Sequence, residues 1–307
     1  MSENILTVKD LKTYFYTASG IAKAVDGVSF NIAKGETMGI VGESGSGKSV
    51  TSSSIIRLLP PRTGKIVGGS IEFEGKDVLA LSKKELNDFR GKDIAVIFQD
   101  PMTSLDPVFK IGKQMTEMIM AHQNVTKDEA WKMAVEALSK VGIPEPEKRM
   151  NSYPYELSGG MCQRVIIAMA VCCKPKLIIA DEPTTALDVT VQAQVLELLK
   201  ELQRDMDTAI LLITHNLGVV WEMCDKVMVM YAGNTVEFTD TKTLYSNPRH
   251  PYTWGLLDSM PKLSDESKGE LKTIPGTPPD LRLTGECCNF YNRCPYVTEA
   301  CTQSVPP

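Results

Sequence analysis

Gly42-Glu43-Ser44-Gly45-Ser46-Gly47-Lys48-Ser49 brings three glycines, a lysine and a closing hydroxyl into eight residues. Such a run lets the backbone curl until successive amides face phosphate oxygens. The lysine then supplies a point charge to the outer phosphates, and the serine hydroxyl suits a magnesium ion. Val50 follows in the first turn of what should be a helix. Far downstream, Leu177-Ile178-Ile179-Ala180 runs into Asp181-Glu182. An aspartate at a strand end can hold the magnesium shell, usually through water. A glutamate one residue on can polarise an attacking water as a general base. Together these imply binding and hydrolysis of a nucleoside triphosphate. In Leu157-Ser158-Gly159-Gly160-Met161-Cys162-Gln163-Arg164, a serine and two glycines open a second apparent helix, another way to offer bare amides to a phosphate.

These residues need strands and helices to hold them. Met38-Gly39-Ile40-Val41 is a short apolar strand before the glycine loop, and a helix is expected from Lys48 to about Leu59, stopped by Pro60-Pro61. Strand alternation also marks Leu6-Thr7-Val8, Val28 to Ile32, Ser70 to Phe73 and Ile94 to Phe98. From about Ile111 to Val141 the spacing is helical, with its methionines read as core filling. Apolar strands at 177–180, 210–213 and 227–230 alternate with helical segments near 189–205 and 216–223. That alternation means a buried, largely parallel sheet, hence an α/β fold. Beyond about Ser246 prolines become frequent and helix scarce, as in a small appended module.

With 307 residues, 43% hydrophobic and 23% charged, the chain can bury a sizeable core. A net charge of −5 argues against a broad nucleic-acid partner. No run of about 18 apolar residues is present and the N-terminal stretch lacks a signal pattern, so a cytoplasmic location is expected. Cys162, Cys172, Cys173 and Cys224 read as small buried hydrophobes, whereas Cys287, Cys288, Cys294 and Cys301 crowd into the tail.

With these motifs in view, the chain resembles ABC-transporter nucleotide-binding subunits over nearly its whole length. The resemblance implies a P-loop ABC nucleotide-binding domain at 1–245, with a parallel-sheet core, an antiparallel β part and a helical subdomain at about 101–175. Residues 246–307 would be a small irregular extension. Gln99 resembles the family's glutamine loop, which contacts magnesium along with Ser49 and Asp181. Ala186-Leu187-Asp188 resembles its aspartate loop, and His215 its switch histidine. In the family two such domains pack head to tail. Ser158, Gly159, Gly160, Gln163 and Asp188 would therefore serve a partner's ATP, while Lys48, Glu182 and His215 act at the chain's own loop. An aromatic upstream of the loop commonly stacks on adenine. Tyr14, Phe15 and Tyr16 all stand near that place, and alternation sets Phe15 apart from its neighbours.

Asp100 to Pro107, Asn247 to Thr253 and Ile274 to Leu281 resemble the dipeptide/oligopeptide importer branch, which also includes nickel importers. That resemblance implies a second, different ATPase subunit, two membrane permeases and an external solute-binding protein, with this chain at the cytoplasmic membrane face. A soluble ATPase acting on nucleic acid or ribosomes is the competing class. Such proteins usually carry paired domains, a coiled coil or a zinc-bearing insertion, which are not seen in this sequence. Some members of the branch hold a [4Fe-4S] cluster on cysteines spaced like Cys288, Cys294 and Cys301, with Cys287 as the stand-in fourth ligand. Reduced, unligated thiols are the other reading, and no C-x-x-C knuckle favours zinc.

Overall fold

The structure is a computed structural model that describes residues 3–185, 187–260, 273–285 and 287–305. The chain folds as two compact units. One gathers the described residues of Met1–Ile5, Ala33–Glu36 and Leu81–Leu211; the other gathers those of Leu6–Ile32, Thr37–Ala80 and Leu212–Pro307.

In the second unit lies the glycine loop. Its feeding strand Thr37–Val41 is buried at every position and pairs in parallel with Lys226–Tyr231, Gly39 opposite Val227 and Val41 opposite Val229. Both strands are near-continuous runs of apolar residues, as a strand covered on both faces must be. Lys226–Tyr231 pairs antiparallel with Asn234–Asp240 on its other side. A separate antiparallel sheet holds Gly20–Ala33, Asn4–Thr17, Gly64–Phe73 and Lys76–Asp77 in that spatial order. The sequence suggests short strands here, yet two of them run for 14 residues each.

The helix Lys48–Ile55 is shorter than the sequence implies. It closes because Arg57 takes a left-handed conformation (φ 54°), with the Leu58 amide on the Ser53 carbonyl. This is a common way to satisfy the last carbonyls of a helix. Pro60-Pro61 lies beyond the stop and does not cause it.

The first unit carries the parallel pair Ile94–Ile97 and Leu177–Asp181, in register from Ile94 opposite Leu177 to Ile97 opposite Ala180. The helical stretch at 111–141 is two helices, Ile111–His122 and Lys127–Lys140. Thr126 divides them by accepting the Glu129 amide on its hydroxyl, while the Glu129 carboxylate takes the Thr126 amide. Of the methionines read there as core, Met115 is fully buried and Met120 is 45% exposed.

The extension has more order than its prolines suggest. His250 caps the helix Pro251–Asp258, with Pro251 in the first helical position where its missing N–H costs nothing. Tyr231, Tyr252 and Phe290 meet as a buried aromatic trio with ring centroids 4.6–5.4 Å apart. Cys162 and Cys224 are buried as expected; Cys172 and Cys173 are half-buried.

Candidate functional site

The glycine loop is built by close approach. A Cβ on Gly47 would fall 2.3 Å from the Ala24 carbonyl oxygen, and Gly47 sits at φ 103°, a conformation side chains rarely adopt. Lys48 is buried, and its ammonium donates to the Gly42 and Glu43 carbonyls at 2.8 and 3.0 Å. A lysine ammonium held at the base of the glycine loop is a point charge that phosphate oxygens can meet. Ser46 Oγ is buried and has no hydrogen-bond partner among the described residues, an orphaned polar atom of the kind a phosphate satisfies. Ser44 and Gly45 form the exposed tip, and Ser49 is exposed at the helix start with Val50 half-buried behind it. The residues at 42–50 therefore fit a nucleoside triphosphate.

In the same unit His215 is exposed just past the strand Ala209–Thr214. Its flanking residues are pinned: the Asn216 amide donates to Thr214 Oγ1 at 3.0 Å, and the Asn216 side chain caps the next helix. The three upstream aromatics separate clearly. Tyr14 donates its hydroxyl to Asp26 at 2.7 Å, and burial together with that carboxylate pushes its pKa up to about 12. Phe15 is half-buried opposite Gly64, where a Cβ would lie 3.0 Å from its ring. Tyr16 is 40% exposed with the Lys65 ammonium 5.2 Å over its ring.

The first unit holds the carboxylates and the second glycine pair. Glu182 follows Asp181 in a left-handed conformation (φ 48°), unusual for a residue other than glycine. Its Oε2 accepts from both Gln99 Nε2 and Thr185 Oγ1, each at 2.9 Å. Gln99 lies exposed past the end of Ile94–Ile97, so two neighbouring strand ends deliver a glutamine and a glutamate to one point. Ser158 caps the helix Gly159–Val171 by accepting the Met161 amide. Gly159 is exposed, with nothing within 4 Å of where a Cβ would stand. Gly160 instead packs on the helix Val189–Met206, where a Cβ would come 2.8 Å from Val191. Asp188 caps that helix through the Val191 amide at 3.0 Å. Ala186, part of the expected aspartate loop, lies outside the described residues.

Two expectations fare differently. Gln163 is fully buried, and its carboxamide nitrogen and oxygen have no hydrogen-bond partner among the described residues. It points into the helix packing, whereas Ser158 and Gly159 are open to a neighbour; Arg164, half-buried, spans to the Val141 carbonyl and to Gln194. The tail cysteines do gather. The Cys288 amide donates to the Cys301 carbonyl, burial raises the Cys288 thiol, and Cys301, Cys294 and Cys287 raise it further. Yet no three His, Cys, Asp or Glu side chains among the described residues form a group able to hold a metal ion. Cys287, Cys288, Cys294 and Cys301 thus do not fit the iron–sulfur cluster as they stand, and adjacent cysteines such as Cys287 and Cys288 reach one cluster only with difficulty.

Three contacts escape the sequence pattern: Thr185 on Glu182, Tyr252 Oη accepting the Glu43 amide, and Arg293 on the Glu43 carboxylate. Only Thr185, three residues from Glu182, left a local signal.

A parallel strand delivering a buried lysine in a glycine loop, with a second strand ending in Asp-Glu, defines a P-loop ATPase cassette. The chain belongs to the ABC transporter family. The family profile described as "ABC transporter" matches residues 25–185, and that described as "Oligopeptide/dipeptide transporter, C-terminal region" matches residues 236–301. The chain is 55% identical over 303 residues to the oligopeptide transport ATP-binding protein OppD of Bacillus subtilis, covering 99% of this chain and 85% of that one. It is 51% identical to the dipeptide transport ATP-binding protein DppD of the same organism, covering 99% and 90%. The solved dimeric, post-hydrolysis ATP-binding cassette MJ0796, bound to ADP and phosphate, superposes with a TM-score of 0.69. It shares 27% identity and covers 77% of this chain and 98% of its own. The chain is accordingly an ABC ATPase.

Proposed function

We propose that this chain is the ATP-hydrolysing subunit that powers a membrane importer of dipeptides or oligopeptides. The observation that carries the reading is the pairing, on one chain, of an ABC transporter match at residues 25–185 with a match to the peptide-transporter C-terminal region at 236–301. Relatives at 51–55% identity over nearly the full length are named for oligopeptide and dipeptide transport, which supports the same class of cargo. Residues 1–245 act as the nucleotide-binding domain and 246–307 as its extension. Nickel import is the second reading, since that branch shares the same ATPase form.

Lys48 and the amides of residues 42–49 hold the phosphates, and Phe15 stacks on the adenine, with Tyr16 the alternative; the commitment of the Tyr14 hydroxyl to Asp26 supports a partner other than Tyr14. By the family resemblance Ser49, Gln99 and Asp181 would be the residues to hold Mg2+, which would neutralise charge on the transferring phosphoryl group. Glu182 orients and deprotonates the water, and His215 contacts the γ-phosphate. Ser158, Gly159, Gly160 and Asp188 serve the nucleotide of a second, distinct ATPase subunit packed head to tail. The chain sits peripherally at the cytoplasmic membrane face, in an assembly with two integral-membrane permeases that works with an external solute-binding protein. No described helix is long and apolar enough to cross a membrane.

Purification of the tagged chain from native membranes in mild detergent tests this. Two permeases and a different ATPase should co-purify. Recovery only in the soluble fraction with nucleic acid or ribosomes would contradict it.

A further inference from the structure

The phosphate loop carries a carboxylate, Glu43, immediately after its first glycine. A negative charge at that place works against a ligand whose own phosphates are negative. The structure supplies its counter-charge from 250 residues away: Arg293 Nη1 and Nη2 donate to Glu43 Oε2 and Oε1 at 2.6 and 3.0 Å. Every nitrogen of the guanidinium is engaged. Nε donates to the Pro275 carbonyl at 2.9 Å, Nη1 also to Tyr231 Oη at 3.2 Å, and Nη2 also to the Ile274 carbonyl at 3.3 Å. The Arg293 side chain is 5% exposed and that of Glu43 27%, so bulk salt screens the pair little. Glu43 is held at two further points, its amide on Tyr252 Oη at 2.8 Å and its carbonyl on the Lys48 ammonium at 3.0 Å. Arg293 and Tyr252 both belong to residues 246–307, so the extension grips the same residue that the loop lysine grips.

We propose that Arg293 is a positioning residue of the phosphate loop: it neutralises and orients Glu43, and through it the C-terminal extension sets the affinity for ATP. This rests on the reading that residues 42–49 bind ATP. A planar, bidentate fork is needed because a lysine can offer only a point charge. Removing the arginine leaves an unpaired carboxylate beside the incoming phosphates, so the loss falls on nucleotide binding and not on the chemical step. A mere staple between extension and loop behaves otherwise: its removal lowers thermal stability and leaves nucleotide affinity alone.

The test uses the full-length chain in its assembled complex, with MgATP as the ligand. Arg293→Met should raise KM for ATP about tenfold with kcat changed less than about twofold, the signature of lost ground-state binding. Arg293→Lys should give a smaller rise, about two- to threefold, and covers the case in which the methionine variant fails to fold. Glu43→Gln added to Arg293→Met should bring KM back to within about twofold of the Glu43→Gln single variant, because neighbours in one ion pair are non-additive. A wild-type KM in both arginine variants, with only the melting temperature lowered, would overturn the proposal. Wild-type protein that binds no MgATP would overturn the ATPase reading and the proposal with it.

Discussion

Gln99 and Thr185 share one oxygen of Glu182, each donating to Oε2 at 2.9 Å. The glutamine thereby fixes the carboxylate proposed above as the general base, in a residue whose own backbone is left-handed at φ 48°. Orientation of a general base by hydrogen bonds is worth much of its effect, since small misplacements are costly. Gln99→Ala should lower kcat about tenfold with a smaller change in KM for ATP. Gln99→Glu should lower it further by setting a second carboxylate against the first. Steady-state ATPase assays check the order wild type, alanine, glutamate; equal rates in all three would remove Gln99 from the positioning of Glu182.

Glu182→Gln keeps the shape and an oxygen for the Gln99 contact but removes the carboxylate proposed as the base. Turnover should fall by about 10²- to 10⁴-fold, the range for general-base catalysis, while ATP still binds. Nucleotide binding followed by calorimetry alongside phosphate release separates the two.

The two glycines of the second loop predict opposite phenotypes. Gly159 faces open space, so Gly159→Asp should fold normally and bind ATP at its own loop. In the assembled complex it should nonetheless lower turnover, because in the proposed head-to-tail packing the carboxylate would meet the partner's nucleotide. Gly160→Ala has no such room: its Cβ falls 2.8 Å from Val191, and a loss of about 1–3 kcal/mol of stability is expected from overpacking. Chemical denaturation of the pair checks the contrast.

His250 makes the fold sensitive to acid. Its Nδ1 accepts the Tyr252 amide at 3.1 Å, which only the neutral ring can do, and Phe290 packs 5.7 Å away. Burial lowers its pKa below the ordinary 6.5, with Glu237 opposing in part. The folded state therefore binds this proton more weakly than the unfolded chain. Its contribution is complete above pH 6.5 and lost as pH falls below that value toward the folded pKa. His250→Asn retains a capping acceptor without the titration. Its melting temperature should fall less than that of the wild type between about pH 7 and 5.

Local motifs in this sequence announce themselves because their chemistry is backbone chemistry. A glycine loop needs Gly47 for its conformation, Lys48 for charge and a strand before it, all within a dozen residues. The carboxylates at 181–182 and the cap at Ser158 are equally local. Contacts made by tertiary folding left no such trace. Gln99 and Glu182 are 83 residues apart, and Arg293 and Glu43 are 250 apart. Gln163 shows the reverse problem: its place in a recognisable motif suggests an exposed role, while its helical phase turns it into the packed side of Gly159–Val171. The split at Thr126 was readable from Thr-x-x-Glu, but apolar spacing on both sides masked it.

The most direct measurement is uptake of labelled di- and oligopeptides into proteoliposomes holding this chain with its permeases, second ATPase and binding protein. ATP-dependent accumulation that disappears with Glu182→Gln, while the complex stays assembled, is the expected result. Accumulation unaffected by that substitution, or an assembled complex whose ATPase activity responds to nickel and not to any peptide, would contradict peptide import powered by this chain.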